Sequence, residues 1–364
     1  MILVKNTNLH SISFNSSQSD AKNFRSDFIT YYSNKYESRL ASSIDTLKSV
    51  CFENDLLNSA HTSELRYGLL FRHALPFLAT EDDLFGGSNI DSSITLTGCL
   101  AIHSLSLTHL DYHLDGATPR DDSDSTAIEL DYETAISYAI RMILKAGSII
   151  SNSSVSDRIW KDCIDPISGF VMSRMFLDWK ERYKLEFLNE KIERRITYYE
   201  DDTNTRMHAS GYWELMIRAA FVVHSRDEFP DMLLAYCKSI RRIRQLIDEL
   251  QDIEEDIVSG LITFPVLYLM QDSPSVTKVL IKQIWKLSKG IEMAHLVNNE
   301  NAHKLAGLVS ELKSVFYSSP ARERYHLRIQ DEYRKLIDIC DELKAPNLKN
   351  IVDFKIAKFI LLRT

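Results

Sequence analysis

Four aspartates stand in two pairs of the same spacing, Asp111 with Asp115 and Asp248 with Asp252. On a helix turning about 100° per residue, positions four apart share a face, so each pair sets two carboxylates side by side. Like charges at that spacing repel and cost an isolated helix about 0.2–0.5 kcal/mol. One such pair is ordinarily a solvated acidic face. Two pairs facing each other, the first in a strongly apolar stretch, would instead hold hard divalent cations, which bind carboxylate oxygen. Magnesium keeps several waters, uses one or two carboxylates and takes the rest of its shell from a substrate phosphate. Opposed acid pairs therefore point to diphosphate chemistry with Mg2+ as the cofactor.

The flanking residues carry the pattern further. Around the first pair the chain reads Leu107-Thr108-His109-Leu110-Asp111-Tyr112-His113-Leu114-Asp115-Gly116. Around the second it keeps Gln245, Asp248, Glu249, Asp252, Gly260, Thr263 and Pro265, with about 130 residues between the motifs. In both order and separation these stretches resemble the two aspartate-rich motifs of the trans-isoprenyl diphosphate synthase (polyprenyl synthetase) superfamily. Tyr112 replaces the second aspartate of the first motif, Glu249 replaces an aspartate of the second, and Leu261 replaces the lysine that follows it. The likeness runs from about residue 60 to the C-terminus.

The resemblance implies a single large all-α bundle of the isoprenoid synthase type around a central cavity, with Asp111 facing Asp248 across its mouth. It implies that Asp111, Asp115, Asp248 and Asp252 carry the catalytic magnesium, with Glu249 in support. Of the family's basic residues, Arg66 is the one candidate match to the isopentenyl diphosphate signature, where Ser63 and Glu64 stand in place of cations. Arg120 remains from the basic pair after the first motif, and Arg218-Ala219 replaces a Lys-Thr pair. Arg218, Arg120 and Arg244 would then contact diphosphate oxygens, beside Gln245. Ser106 and Leu107, just ahead of Asp111, occupy the floor positions that limit chain length in relatives. Neither is aromatic, which favours a twenty-carbon substrate. Tyr183 belongs to an aromatic stripe with Trp179 and Phe187, whose ring faces would stabilise a carbocation by about 0.5–2 kcal/mol each.

An allylic diphosphate ionises readily once the charge on the departing diphosphate is neutralised in a dry site. The expected activity is therefore Mg2+-dependent ionisation of a fifteen- or twenty-carbon prenyl diphosphate with release of pyrophosphate. Loss of the second basic pocket favours cyclisation, as in terpene synthases. Prenyl transfer to isopentenyl diphosphate or to a non-isoprenoid acceptor is the alternative, and a non-catalytic subunit of a heteromeric prenyl synthase is a further one.

The elements that must position these residues are helices. With 11 Gly and 8 Pro in 364 residues the chain has few breakers, and no strand alternation or hairpin signal is visible. Apolar spacing predicts helices over about 24–50, 63–78, 93–115, 132–150, 167–199 and 211–223. The helix bearing the second motif follows, then others over 266–270, 275–287, 302–314, 322–343 and 348–362. His109 and His113 lie about 160° from the Asp111/Asp115 stripe and read as core histidines. Residues 1–20, rich in Ser and Asn, read as a flexible extension, and 21–364 as the helical domain.

A net charge of −8 argues against a nucleic-acid partner. Five scattered cysteines fit a reducing compartment, and the N-terminus lacks an apolar leader. A cytoplasmic protein without a membrane span is expected, as a possible homodimer.

Overall fold

The computed structural model describes residues 12–37, 74–87, 146–152, 155–164, 183–189, 191–194, 211–294 and 299–362, with a few isolated positions such as Arg39. Helices α1 (Gln18–Lys35), α2 (Leu75–Phe85), α3 (Gly211–Val223), α4 (Asp231–Gln251) and α5 (Ile253–Val258) come first. They are followed by α6 (Phe264–Asp272), α7 (Pro274–Ala294), α8 (Asn299–Ser318), α9 (Pro320–Leu343) and α10 (Pro346–Leu361). Among the described residues no strand occurs and the fold is all-α. No helix among them is long and apolar enough to cross a membrane.

Two compact units divide the chain. One comprises Met1–Val171, Ala209–Cys237 and Leu336–Thr364, and the other Met172–His208 and Lys238–Lys335. The boundaries fall within α4 and within α9.

In the first unit α1 opens on a reciprocal cap. The Asp20 N–H donates to Ser17 Oγ, and the Ser17 N–H donates to Asp20 Oδ2. That cap starts the helix at residue 18, ahead of its apolar period. Two residues of the stretch expected to be loosely held, Ile12 and Phe14, are buried, and the Phe14 ring lies 5.2 Å from that of Phe359. Helix α2 runs past its expected end to Phe85, where Gly86 at φ +73° closes it.

The last turns of α2 carry three consecutive acids, each taken by a different part of the unit. Glu81, fully buried, meets Arg39 and lies 3.0 Å from His224 Nε2. The ring of Phe85 stacks on that histidine at 4.2 Å. Removing one partner from a buried charge pair costs about 3–5 kcal/mol, because the other is left uncompensated. Asp82 accepts from Tyr36 Oη at 2.6 Å and pairs with Lys35 at 2.7 Å. Asp83 reaches the start of α10, where the amides of Asn347 and Leu348 donate to its two oxygens at 3.2 and 2.9 Å. Pro346, which has no N–H to satisfy, occupies the first position of that helix.

In the second unit α7 packs against α5, α6 and α8, and α6 and α5 also touch α8. Tyr325 Oη donates to the Leu246 carbonyl at 2.6 Å, fixing α9 to α4. Arg324 ties the end of α6, donating to the Tyr268 carbonyl at 3.1 Å and pairing with Asp272 at 2.7 Å.

The structure corrects the expectation of one long helix over 167–199. Tyr183 adopts φ +60°, followed by a single 3-10 turn at Leu185–Leu188. A left-handed residue with a bulky side chain ends an α-helix, and tertiary contacts described below hold it there.

Replacing Asp83 with Ala uncaps α10 and is expected to lower unfolding stability by about 0.5–2 kcal/mol. Equilibrium urea denaturation measures this, and an unchanged midpoint would mean that the cap contributes nothing.

Candidate functional site

The second acidic motif lies wholly within the second unit, on the last turns of α4 and on α5. Asp248 is half-exposed, and Arg244 Nε lies 3.4 Å from its Oδ2. Both side chains meet solvent, so this pair contributes little to stability. Its effect is to keep a cation beside the carboxylates. Arg242, two residues before Arg244, pairs instead with the buried Glu332 at 3.2 Å, where Lys335 also reaches at 3.0 Å.

Glu249 behaves differently from the aspartates on either side. It is buried, and each of its oxygens is engaged. Gln245 Nε2 donates to Oε1 at 2.8 Å, and the Phe264 N–H donates to Oε2 at 3.1 Å. The Phe264 amide is the first of α6, and Thr263 offers that helix no side-chain cap. Glu249 therefore supplies the cap from another helix, with its charge at the positive end of the α6 dipole. Hydrogen bonds to a charged acceptor contribute about 1.5–3 kcal/mol each.

Past Asp252 the backbone bends at φ −100°, ψ 10°, and α5 begins. Its C-terminus closes as a Schellman motif. The Leu261 N–H donates to the Asp256 carbonyl at 2.8 Å, and the Gly260 N–H donates to that of Ile257 at 3.3 Å. Gly260 takes φ +89°, which only glycine adopts without strain. The glycine after the second motif thus has a backbone reason to be there.

Asp256, four positions beyond Asp252, extends the acidic face by another turn. Burial pushes its carboxyl well above the usual carboxylate range, and Glu249, Asp252 and Glu255 push in the same direction. The buried Thr263 hydroxyl lies close enough to oppose that rise without reaching full hydrogen-bond geometry. Sequence reading passed over Asp256, although its place on the Asp248/Asp252 face was visible in the spacing. The i, i+4 pairing of Gln245 with Glu249 was equally legible.

Tyr183, expected to line a substrate cavity, packs on this turn. Its Oη donates to the Val258 carbonyl at 2.8 Å, its N–H donates to that of Gly260 at 2.9 Å, and its ring meets Trp285 edge-on. In the other unit, Arg218 Nε donates to Glu214 Oε1 at 2.6 Å and its guanidinium lies 4.2 Å above the Phe229 ring. Arg66, Ser106, Leu107, Asp111, Asp115 and Arg120 lie outside the described residues, and with them the expected meeting of Asp111 with Asp248.

Asp248 and Asp252 offer hard oxygen donors on half-exposed side chains. That suits magnesium, which needs few protein ligands. Glu249 does not fit as a ligand, since both of its oxygens are engaged within the scaffold. Among the described residues no three His, Cys, Asp or Glu side chains are grouped to hold a metal.

Asp256 generates a pH dependence. Its folded pKa is raised, so the folded protein holds a proton that the unfolded chain releases above about pH 3.8. Stability is therefore expected to fall as pH rises from that value, by at most about 1.4 kcal/mol per unit for one proton. Asp256→Asn should remove this slope in denaturation curves taken from pH 4 to pH 7. An identical slope in the variant would assign the dependence to another group.

Several solved structures share the fold. The geranylgeranyl pyrophosphate synthase of Lactobacillus brevis aligns with a TM-score of 0.61 at 15% identity, over 88% of this chain and 97% of that one. A polyprenyl synthase from Caulobacter crescentus, solved with calcium and isoprenyl diphosphate, gives 0.61 at 14% identity over 90% and 97%. The octaprenyl pyrophosphate synthase of Helicobacter pylori gives 0.56 at 14% identity over 93% and 99%. No protein-family model and no curated protein sequence matches the chain. The chain has the all-α isoprenoid synthase fold of these prenyl diphosphate synthases.

Proposed function

We propose that this protein ionises an allylic prenyl diphosphate of fifteen or twenty carbons, releases pyrophosphate and cyclises the resulting cation. One observation carries the reading. The outer acids of the second motif, Asp248 and Asp252, remain on half-exposed side chains while Glu249 between them is drawn into the scaffold. Two carboxylates four positions apart beside a buried third are an arrangement suited to a divalent cation that takes few protein ligands.

In this reading Asp248 and Asp252 hold magnesium together with Asp111 and Asp115 of the first motif. The bound ion supplies neutralisation of the diphosphate charge, the dominant barrier to ionisation at neutral pH. Arg244, beside Asp248, limits the self-repulsion of the acids and is proposed as a contact for diphosphate oxygens. Arg218, Arg120 and Arg66 are proposed as further diphosphate contacts, with Arg218 held in place by Glu214. Ser106 and Leu107 are proposed to stand at the floor positions of the prenyl cavity, where neither is bulky enough to stop a twenty-carbon chain. Apolar walls exclude water from the cation.

Cyclisation is supported by Leu261, which stands on the turn after α5 where relatives place a lysine. A second reading, prenyl transfer to isopentenyl diphosphate, has its own support, because the solved structures of this fold are named as prenyl diphosphate synthases.

Incubating the purified protein with ten-, fifteen- and twenty-carbon allylic diphosphates, with and without isopentenyl diphosphate, tests both readings. Magnesium-dependent pyrophosphate release without any acceptor supports cyclisation. Release that requires isopentenyl diphosphate supports transfer, and none in either case supports a non-catalytic subunit. Asp248→Ala is expected to lower kcat/KM at least about 100-fold, or about 2.7 kcal/mol of transition-state stabilisation. Unchanged turnover in that variant would end the metal assignment.

A further inference from the structure

The C-terminus of α5 is held from outside to an unusual degree. A helix end leaves carbonyls without intrahelical partners. Here three carbonyls of the stretch from Ile257 to Gly260 are each met by a donor from elsewhere in the second unit. Trp285 Nε1 donates to the Ile257 carbonyl at 2.9 Å. Tyr183 Oη and Ser288 Oγ both reach the Val258 carbonyl, at 2.8 and 2.7 Å. The Tyr183 N–H takes the Gly260 carbonyl at 2.9 Å.

Tyr183 and Gly260 also fit each other sterically. A Cβ on Gly260 would lie 2.6 Å from the Tyr183 ring and 2.7 Å from its backbone nitrogen. The glycine is therefore required twice, by its positive φ and by the closeness of the ring. Tyr183 holds φ +60°, a conformation that costs a bulky residue free energy and persists only where surroundings impose it. Lys289 Nζ lies 4.8 Å above the ring and Trp285 packs at its edge, which completes the seat.

The position of this seat matters because α5 is only six residues long. It starts immediately after Asp252 and carries Asp256 in its middle. Glu249 anchors the far side of the same loop through the Phe264 amide. Without the tyrosine side chain, the segment from Asp252 to Leu261 would keep its ties through Glu249, Trp285 and Ser288 but lose the Oη bond to Val258 and the ring packed on Gly260.

We propose that Tyr183 is a positioning residue: by docking on the Gly260 turn it fixes α5, and through α5 the orientation of the Asp252 carboxylate toward a divalent cation and diphosphate. The inference rests on the reading of Asp248 and Asp252 given above. It assigns Tyr183 to the scaffold of the acid motif rather than to the wall of the prenyl cavity.

The test uses the full chain and three variants, Tyr183→Phe, Tyr183→Ala and Gly260→Ala. Mn2+ binding in the presence of inorganic pyrophosphate is followed by paramagnetic resonance, and amide exchange reports the Leu261 and Phe264 N–H groups. Partners that orient a metal ligand typically change affinity by 10–100-fold, so Tyr183→Phe should weaken Mn2+ binding about tenfold. It should also speed exchange at Leu261. Gly260→Ala, which pushes the ring away without altering it, should weaken binding by at least as much. Tyr183→Phe keeps the ring and serves if Tyr183→Ala does not fold. Faster exchange with unchanged Mn2+ affinity would show a purely structural clamp and overturn the inference. Wild-type protein that binds no Mn2+ with pyrophosphate would overturn the functional reading itself, and the inference with it.

Discussion

A buried carboxylate between two half-exposed ones is the constraint on which the acid motif depends. Glu249 gives one oxygen to Gln245 on its own helix and the other to the first amide of α6. Removing a carboxylate from water is expensive unless its lone pairs are filled, and both donors fill them here. The link spans 15 residues and closes the loop that contains Asp252, α5, the Gly260 turn and Thr263. Within that loop Asp252 is half-exposed and Asp256 is protonated more readily than an ordinary aspartate, while half-exposed Asp248 stands just ahead of the loop. The exchange of aspartate for glutamate at position 249 has a physical sense in this setting, since the extra methylene lengthens the reach toward the α6 amide.

The same logic runs through the other unit at Glu81, Asp82 and Asp83. Each acid of that run satisfies a different element: Arg39 and His224, Tyr36 and Lys35, and the start of α10. The buried carboxylates of Glu81 in one unit and Glu249 in the other are thus met by named partners, and acidic runs that look alike in sequence divide into structural and candidate functional members. Exposure alone does not separate them: Glu81 and Glu249 are buried, but Asp82 and Asp83 share the intermediate exposure of Asp248 and still hold Tyr36, Lys35 and the start of α10.

Much of this was legible beforehand. Low glycine and proline content and apolar periodicity gave the all-α class, and α3 has the bounds that its periodicity predicts. The helices from α6 to α10 each fall over an expected one, longer by a few residues where Pro320 and Pro346 mark a start. The order of Gln245, Asp248, Asp252 and Gly260 suggested one site; the structure puts Gln245 and Asp248 on α4, Asp252 at the bend before α5 and Gly260 just past its end. What escaped was tertiary. Nothing local marks Tyr183 as left-handed, because its conformation is imposed by Gly260, Val258 and Trp285, about 75 to 100 residues away. Likewise the inward turn of Glu249 depends on an amide that sequence spacing alone does not bring near. The pairing of Arg218 with Glu214 and its seat on Phe229 also emerge only from the fold.

Crystals soaked with Mn2+ and inorganic pyrophosphate, measured at the manganese anomalous edge, test the central claim most directly. Asp248 and Asp252 are expected to contribute oxygens at about 2.1 Å to manganese that also contacts pyrophosphate, with Glu249 still on the Phe264 amide. Manganese bound by Glu249, or no anomalous peak near α4 at saturating pyrophosphate, would contradict it.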